Sequence, residues 1–369
     1  MRKSRLIAGI VALAALVAVA SVLASGASAQ KQQPQQKKLT FGFVVHVLGN
    51  PFIQQIIDGA MAAGRDLGVT VKVAGPNNGD ANVMLKDIQD FFGSGAAGVA
   101  TSCQSESLVK PLNQLIAAGK PVATFNITCH DLNAPYVGER SVNSGRILGG
   151  LIGQKLGGQR ATGKVVTGTC FPGVPVLVNR GKGVVQGLKK AAPRLTVKGP
   201  FDVKVAQTDN FAHWQQLYAA NHDSKAFIGL CAPDVTSLGK LNSQIGDKLV
   251  AGGYDTTSAN LAAIKNGHAY VTLGQNPFVQ GYLPILMMYD AVTKHAKLGK
   301  GFVESGTEIV DAGGATEPYD LGHISFKQVE SLAGSPSKTA AYYGRLFKGP
   351  NAPLKNWRKA MEPLANEGK

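Results

Sequence analysis

Charge is scarce in this chain of 369 residues: Asp, Glu, Lys and Arg together make up 17% of it. The net charge of +15 raises the question of nucleic acid or an anionic envelope surface as a partner. Lys and Arg are spread singly, and no helical stretch interleaves them with aromatics, so a nucleic-acid role is excluded. Catalytic signatures are absent as well. There is no Gly-x-Ser-x-Gly elbow, no His-Glu-x-x-His and no Gly-Lys-Ser/Thr phosphate loop, which removes the nucleophile, the zinc ligands and the cradle of the commonest hydrolases and ATPases. Gly181-Lys182-Gly183 with Gly187 imitates a dinucleotide fingerprint, but its spacing is one residue too long and it falls inside a helical pattern. Past Leu23 no run is long and apolar enough to span a bilayer. Only four cysteines occur, none in Cys-x-x-Cys spacing, and the seven histidines are scattered. No metal and no cofactor is expected.

The amino terminus is what an exported chain carries. Arg2, Lys3 and Arg5 precede an apolar stretch from Leu6 to Leu23, and Ala27-Ser28-Ala29 has the small-x-small form of a cleavage site. Residues 1–29 read as a signal peptide cut after Ala29; the rival reading is an uncleaved anchor, and no cysteine at the cut encodes a lipid attachment. Residues 30–38, rich in Gln and Lys and broken by Pro34, lack the apolar area to fold and read as a disordered leader. Losing the signal lowers the net charge by three. The location expected is periplasmic or otherwise extracytoplasmic.

From Leu39 the chain alternates strand and helix patterns with short turns, the signature of parallel sheets covered on both faces. The first unit is the clearest: strand Phe41 to Val47, a helix with Ile53, Ile56, Ile57, Ala60, Ala63 and Leu67 on one stripe, a stop at Gly68, then a strand from Val69. The length exceeds what one core organises, so two lobes are expected. The four cysteines allow three pairings in an oxidising compartment. Cys103 and Cys129 follow two strands expected to be neighbours in the first lobe, and Cys170 and Cys231 two in the second. The pairs Cys103–Cys129 and Cys170–Cys231, near a cleft rim, are therefore expected; a metal site using His130, and free buried thiols, are the alternatives.

One word occurs twice, Asn50-Pro51-Phe52-Ile53-Gln54 and Asn276-Pro277-Phe278-Val279-Gln280, each after a strand and opening a helix. Asn both donates and accepts, Pro suits the first helical turn and Phe supplies a flat apolar face. Both copies are expected at a cleft over the strand ends.

These marks, with Tyr136-Val137-Gly138 running on to Gly145-Arg146-Ile147-Leu148-Gly149, Gly253-Tyr254-Asp255 after a strand, and Gly274-Gln275-Asn276-Pro277, resemble the periplasmic solute-binding proteins of the ribose- and galactose-binding type. The resemblance covers most of residues 39 to about 305. It implies an α/β fold of type I, with two doubly wound, Rossmann-like lobes joined by a three-crossing hinge that closes on a ligand. The lobes would take residues 39–138 with 276–305, and 139–275 with 306–330. It implies ligand contacts at His46, Asn50, Phe52, Phe125, Asn126, Val178, Phe211, Asp255 and Gln275. Asp234 falls either at the pocket or at a helix cap. Asp255 is suited to neighbouring hydroxyls, and Gln275 to both donating and accepting; Trp214 reads as core.

Departures from that family pattern are expected to matter. Phe125-Asn126 stands where such proteins usually carry Asp-Arg, and Val178 where a second arginine is common. A bidentate clamp is therefore expected to be missing, which points away from ribose to a less hydroxylated, deoxy, bulkier or partly apolar ligand. The function implied is capture of a small sugar-like ligand, without catalysis, by a monomer that delivers it to the membrane permease of an ABC importer. The alternatives are a sensor that docks on a chemoreceptor or sensor kinase and, more remotely, a secreted enzyme on sugar derivatives. A DNA-binding repressor of this fold would need a helix pair where the export signal lies. Residues 331–369 lie beyond the usual family end. Their aromatics predict packing on the body, with helices around 339–347 and 354–361; adhesion to anionic wall polymer is the other reading.

Overall fold

The computed structural model describes residues 38–368; the expected signal peptide and nearly all of the expected leader lie outside that range. The first half-chain builds β1 (Thr40–Val44), α1 (Pro51–Leu67), β2 (Thr70–Ala74), α2 (Ala81–Gly93), β3 (Gly98–Thr101), α3 (Val109–Ala117), β4 (Val122–Phe125) and β5 (Pro135–Gly138). Next come α4 (Ser141–Lys155), β6 (Gly163–Thr169), α5 (Pro175–Ala191), β7 (Leu195–Asp202), α6 (Gln207–Ala220), β8 (Ala226–Gly229), α7 (Asp234–Gln244), β9 (Val250–Tyr254), α8 (Ser258–Lys265) and β10 (Val271–Gly274). The chain then continues through α9 (Pro277–Lys294), β11 (Gly301–Glu304), β12 (Glu308–Asp311), β13 (Gly314–Glu317), β14 (Gly322–Ile324), α10 (Phe326–Ala333), α11 (Pro336–Gly344) and the single turn α12 (Trp357–Ala360).

Two sheets result. One is ordered β11-β5-β4-β3-β1-β2 and the other β14-β13-β12-β10-β9-β8-β6-β7. In each, the first five strands of the lobe lie in the order 2-1-3-4-5, all parallel, which is the doubly wound arrangement with its switch point between the first and third strands. The second sheet ends in the antiparallel strands β12 to β14. The chain passes between the sheets three times, at β5 to α4, at β10 to α9 and at β11 to β12.

The repeated Asn-Pro-Phe word is explained by helix starts. Asn50 accepts from the backbone N–H of Phe52 (2.9 Å) and Ile53 (3.4 Å), and Asn276 accepts from that of Val279 (3.3 Å), so both words cap helices. The two helices then pack against each other so closely that a Cβ at Gly59 would strike the carbonyl of Phe278, and one at Gly281 that of Ile56. Only the first copy reaches the cleft. Phe278 turns the other way, into a ring cluster with Tyr282, Tyr343 and Phe347. Gln54 is exposed and bonds to Asp58, whereas Gln280 is buried against Gln275.

The carboxy-terminal segment packs on the sheet that contains β1. Leu346, Phe347, Leu354 and Trp357 are buried in the same apolar cluster as Ile56, Phe278 and Met288. Tyr282 stacks on Phe347 at 4.1 Å between ring centroids, and Trp357 Nε1 donates to Asp290 (3.0 Å). The segment also touches the other lobe. The Tyr343 hydroxyl is hydrogen-bonded to both Glu308 and Glu317, and Ser141 and Asn179 donate to Glu367. Each anchor stands beside a crossing between the sheets. The helical turns here are Pro336–Gly344 and Trp357–Ala360, displaced from the sequence expectation because Pro336 starts the first and Pro353 lies ahead of the second. Trp357→Ala removes a fully buried indole and its hydrogen bond to Asp290, which keeps Lys294, so it should lower the unfolding free energy by about 3–5 kcal/mol. Urea denaturation monitored by circular dichroism checks this.

Candidate functional site

The cleft between the sheets is walled by residues at the carboxyl ends of strands. One lobe contributes His46, Val47, Asn50, Phe52, Ile53, Asn126 and Ile127. The other contributes the ends of β6, β8 and β9, the first turns of α5, and Gln275 in the second crossing. The two switch points therefore face each other, where doubly wound sheets bind ligands.

At the centre lies a chain of amides. Asn126 Nδ2 donates to Gln275 Oε1 (3.1 Å), and Gln275 Nε2 donates to Asp255 Oδ1 (2.8 Å). Gln280 Nε2 donates to the backbone carbonyl of Gln275 (2.7 Å), and Ser305 Oγ does the same (2.7 Å). Gln275 thus uses most of its capacity on the hinge, leaving one Nε2 hydrogen for a ligand. Asn126 and Asp255 both have left-handed backbone, φ 60 and 76, in which Asn and Asp are the most tolerated non-glycine residues. This turn swings each side chain out of its strand and over the cleft.

Asp255 is 2% exposed. Burial raises its pKa to about 7, against the lowering influences of Arg180 and the Gln275 hydrogen bond. His46 is likewise buried, and burial lowers its pKa to about 4, so the ring is neutral at pH 7. Its Nδ1 is 3.0 Å from Ser102 Oγ, which leaves Nε2 for the cleft. Asn50 keeps its amide N–H groups, since its oxygen serves the helix cap.

Arg180 is the charged residue of the cleft wall that the sequence reading missed. It is 3% exposed and lies in the cleft wall. Its Nε is paired with Glu139 in the first crossing, its Nη1 donates to the carbonyl of Leu230 (2.8 Å), and its guanidinium lies 3.8 Å from the centre of the Tyr254 ring. Nη2 is buried and has no partner among the described residues. Burial by itself would lower the pKa of Arg180, but Glu139, Tyr254 and Asp255 outweigh it and hold the group firmly protonated. A planar donor aimed into a cleft that already holds a carboxylate is suited to neighbouring hydroxyls. An arginine therefore does stand in the cleft wall, with its Nε and Nη1 already taken by Glu139 and Leu230, while positions 125, 126 and 178 carry none, as the sequence reading had it. Positions 176 and 180 share a helix face while 178 points away, and Val178 is 40% exposed outside the cleft. The signal was available in the helical period of the Pro175–Ala191 segment.

Three further expected contacts fall elsewhere. Phe125, the last residue of β4, is fully buried and stacked on Phe43 (4.3 Å between centroids); strand alternation turns it into the core just before Asn126 turns into the cleft. Phe211 packs with Trp214 in a separate cluster, under Lys240 Nζ at 4.1 Å. Asp234 neither lines the cleft nor caps its helix. It is fully buried and accepts from Asn210 Nδ2 (2.7 Å), Trp214 Nε1 (2.9 Å) and the backbone N–H of Cys231 (2.8 Å), fixing the loop after β8 to α6. Phe171, which was not anticipated, joins Phe52 as the second aromatic of the wall. Cys103 is bonded to Cys129 and Cys170 to Cys231, the second pair forming part of the cleft wall.

A family profile described as a periplasmic binding protein domain matches residues 41–296. The chain belongs to that family. The xylose/arabinose-binding protein XylF of Sulfolobus acidocaldarius is 25% identical to this binding protein over 92% of the chain and 90% of the relative. The ribose import binding protein RbsB of Haemophilus influenzae is 25% identical over 74% and 89%. Among solved structures, the glucose-galactose binding protein GanP of Geobacillus stearothermophilus has a TM-score of 0.66 at 20% identity, covering 77% of this chain and 99% of that one. A solute-binding protein of Burkholderia graminis in complex with D-arabinose has a TM-score of 0.69 at 19% identity, covering 74% and 95%. The fold is that of type I periplasmic binding proteins.

Two outcomes follow from the electrostatics of the cleft. Arg180→Met strands the buried Glu139 carboxylate and should destabilise the protein by about 3–5 kcal/mol, whereas the double variant Arg180→Met/Glu139→Gln should recover much of that; chemical unfolding at pH 7 measures both. Asp255 holds its proton to a higher pH when folded than when unfolded, so its favourable contribution is complete below about pH 4 and is lost as pH rises through about 7. Asp255→Asn should therefore gain stability relative to the parent across that interval, read from melting temperatures at pH 4 to 8.

Proposed function

We propose that this protein captures a sugar between its lobes outside the cytoplasm and, once closed, presents it unchanged to the membrane permease of an ABC importer. The observation that carries this reading is the presence of Asp255 and of Arg180, whose Nη2 has no partner among the described residues, in one cleft walled from both lobes. A carboxylate accepts from two adjacent hydroxyls and a guanidinium donates to them, which is how a polyol is held without being attacked. Phe52 and Phe171 are available to cover the ring faces. Family membership supports the reading, as do relatives named for binding xylose, arabinose and ribose. The basic start, apolar stretch and Ala27-Ser28-Ala29 site support export with cleavage after Ala29. The proposed ligand contacts are His46, Asn50, Phe52, Asn126, Phe171, Arg180, Asp255 and Gln275, in a monomer that needs no cofactor.

Ligand contacts made from both lobes favour the closed form by their differential affinity. Asp255→Ala should weaken sugar binding by about 1.5–3 kcal/mol through loss of charge-assisted hydrogen bonds, while the fold is retained; isothermal titration calorimetry on the mature protein measures it, and unchanged affinity would remove Asp255 from the site. Uptake of the labelled sugar by cells with and without the gene separates import from sensing.

A further inference from the structure

A second cavity lies between the lobes, under the carboxy-terminal segment. Gln55 and Asp58 of α1 and Phe278 of α9 stand on one side of it, Thr256, Glu308 and Glu317 on the other, and α10 and α11 cover it. The two covering helices rest on different lobes. α10 packs on β13 and α8 of the second lobe, whereas α11 packs on α1 and α9 of the first, where Tyr343 joins the apolar cluster of Ile56 and Phe278. They meet at Gly334-Ser335-Pro336. The segment thus spans the hinge, and its second helix is tied to the far lobe through the Tyr343 hydroxyl, which is bonded to Glu308 of β12 and, at 2.9 Å, to Glu317 of β13. A rotation of the lobes carries Tyr343 with one and both carboxyls with the other.

A phenol has one hydrogen to donate. It satisfies one carboxylate; the second buried carboxyl can join only by donating a hydrogen of its own to the phenol oxygen. The assembled cluster therefore holds a carboxyl proton, and two ionised carboxylates on one hydroxyl repel each other. The surrounding charges do not replace that proton. No lysine or arginine is among the described residues lining the cavity, while Asp58 is, and Asp255 is close enough to feel Glu308. Arg345, with its guanidinium 3.9 Å from the centre of the Tyr342 ring, favours ionised Glu317 but is outweighed there by burial. Glu330 of α10 pairs with Lys265 of α8 (2.9 Å), and Tyr282 of α9 with Asp66 (3.0 Å). Asp311 and His323 fall on the opposite sheet face by strand alternation. Burial raises Glu308 to about 8, so the proton is kept at neutral pH.

Beyond solute capture, and whatever solute fills the cleft, we propose that residues 326–347 form a proton-dependent strap across the hinge: the Glu308–Tyr343–Glu317 cluster fastens the lobes with their half-sites facing while it holds its proton, and loosens them when it loses it. Glu308 binds a proton more tightly in the cluster than in solvent, so the fastening is complete below its ordinary value of about 4.5 and is lost as pH rises through about 8. Ligand contacts that need both half-sites together then draw on a smaller population.

Spin labels at Lys110→Cys on α3 and Lys189→Cys on α5, exposed positions in the two lobes, report the hinge by pulsed electron resonance on the ligand-free mature protein, whose native cysteines are paired. The distance distribution should be constant from pH 5 to 7 and should shift and broaden between pH 7 and 9.5, with circular dichroism showing the fold retained. Glu317→Gln supplies an amide hydrogen in place of the proton, so its distribution should keep the fastened form to pH 9.5; Glu308→Gln is a second variant with the same expectation. Tyr343→Phe removes the bridge and should give the loosened distribution already at pH 6. A parent distribution that does not move with pH overturns the inference. So does a movement that persists in the glutamine variants, since it then belongs to another group such as Asp255, or a Tyr343→Phe distribution identical to the parent's at pH 6. None of these outcomes touches the sugar-capture reading, which calorimetry tests separately.

Discussion

The buried pair of Arg180 and Glu139 organises this protein. Two opposite charges taken out of water are stable only when each keeps its partner and its other hydrogen bonds, and here the partners come from different parts of the chain. Glu139 sits in the first crossing between sheets, Arg180 on α5 in the cleft wall, Leu230 at the end of β8, and Tyr254 beneath the guanidinium. Holding the arginine therefore holds the crossing, two strand ends and a helix in one register. The charge also sets its surroundings, because it lowers the pKa of Asp255 against the raising effect of burial.

Around this pair the two lobes repeat one plan with unequal finish. Both sheets run 2-1-3-4-5 and both carry a disulfide between adjacent strand ends. In the second lobe the bond joins the strands at the switch point itself and so becomes part of the wall. The crossings are tied to one another: Arg140 in the first pairs with Glu304 at the third and with Glu362 of the carboxy-terminal segment, while Glu308, just past the third, shares Tyr343 with Glu317. Burial raises both of these glutamates above the usual carboxylate range, and the Glu317 charge adds to the rise at Glu308. The carboxy-terminal segment is thus fastened at the first crossing and beside the third.

The alternation of strands and helices was legible because parallel sheets bury both faces and leave nearly unbroken apolar runs, as in Phe41 to Val45. Helix starts were legible for the same local reason, Asn before Pro at 50 and at 276. Asn50, Asn126, Asp255 and Gln275 were readable as cleft residues because they follow strand ends. Phe125 and Val178 were misplaced by one and two positions. In a strand a shift of one residue exchanges the two faces, and in a helix a shift of two moves a side chain about 200° around the axis, so resemblance without registration could not locate them. Phe211 and Asp234 failed differently, since both belong to packing between α6 and α7 that no local pattern announces.

Residue order alone determined the α/β class, the two-lobed division, the strand ends that carry polar side chains and the cysteines able to meet, since each depends on local periodicity and on neighbours in the same sheet. Only the tertiary structure decided which of two identical Asn-Pro-Phe words faces the cleft, that Arg180 and not position 178 supplies the guanidinium, and that Asp234 is a packing anchor. Those outcomes depend on how helices rotate against sheets and on which buried charge finds its partner. Both are set by contacts between segments far apart in the chain.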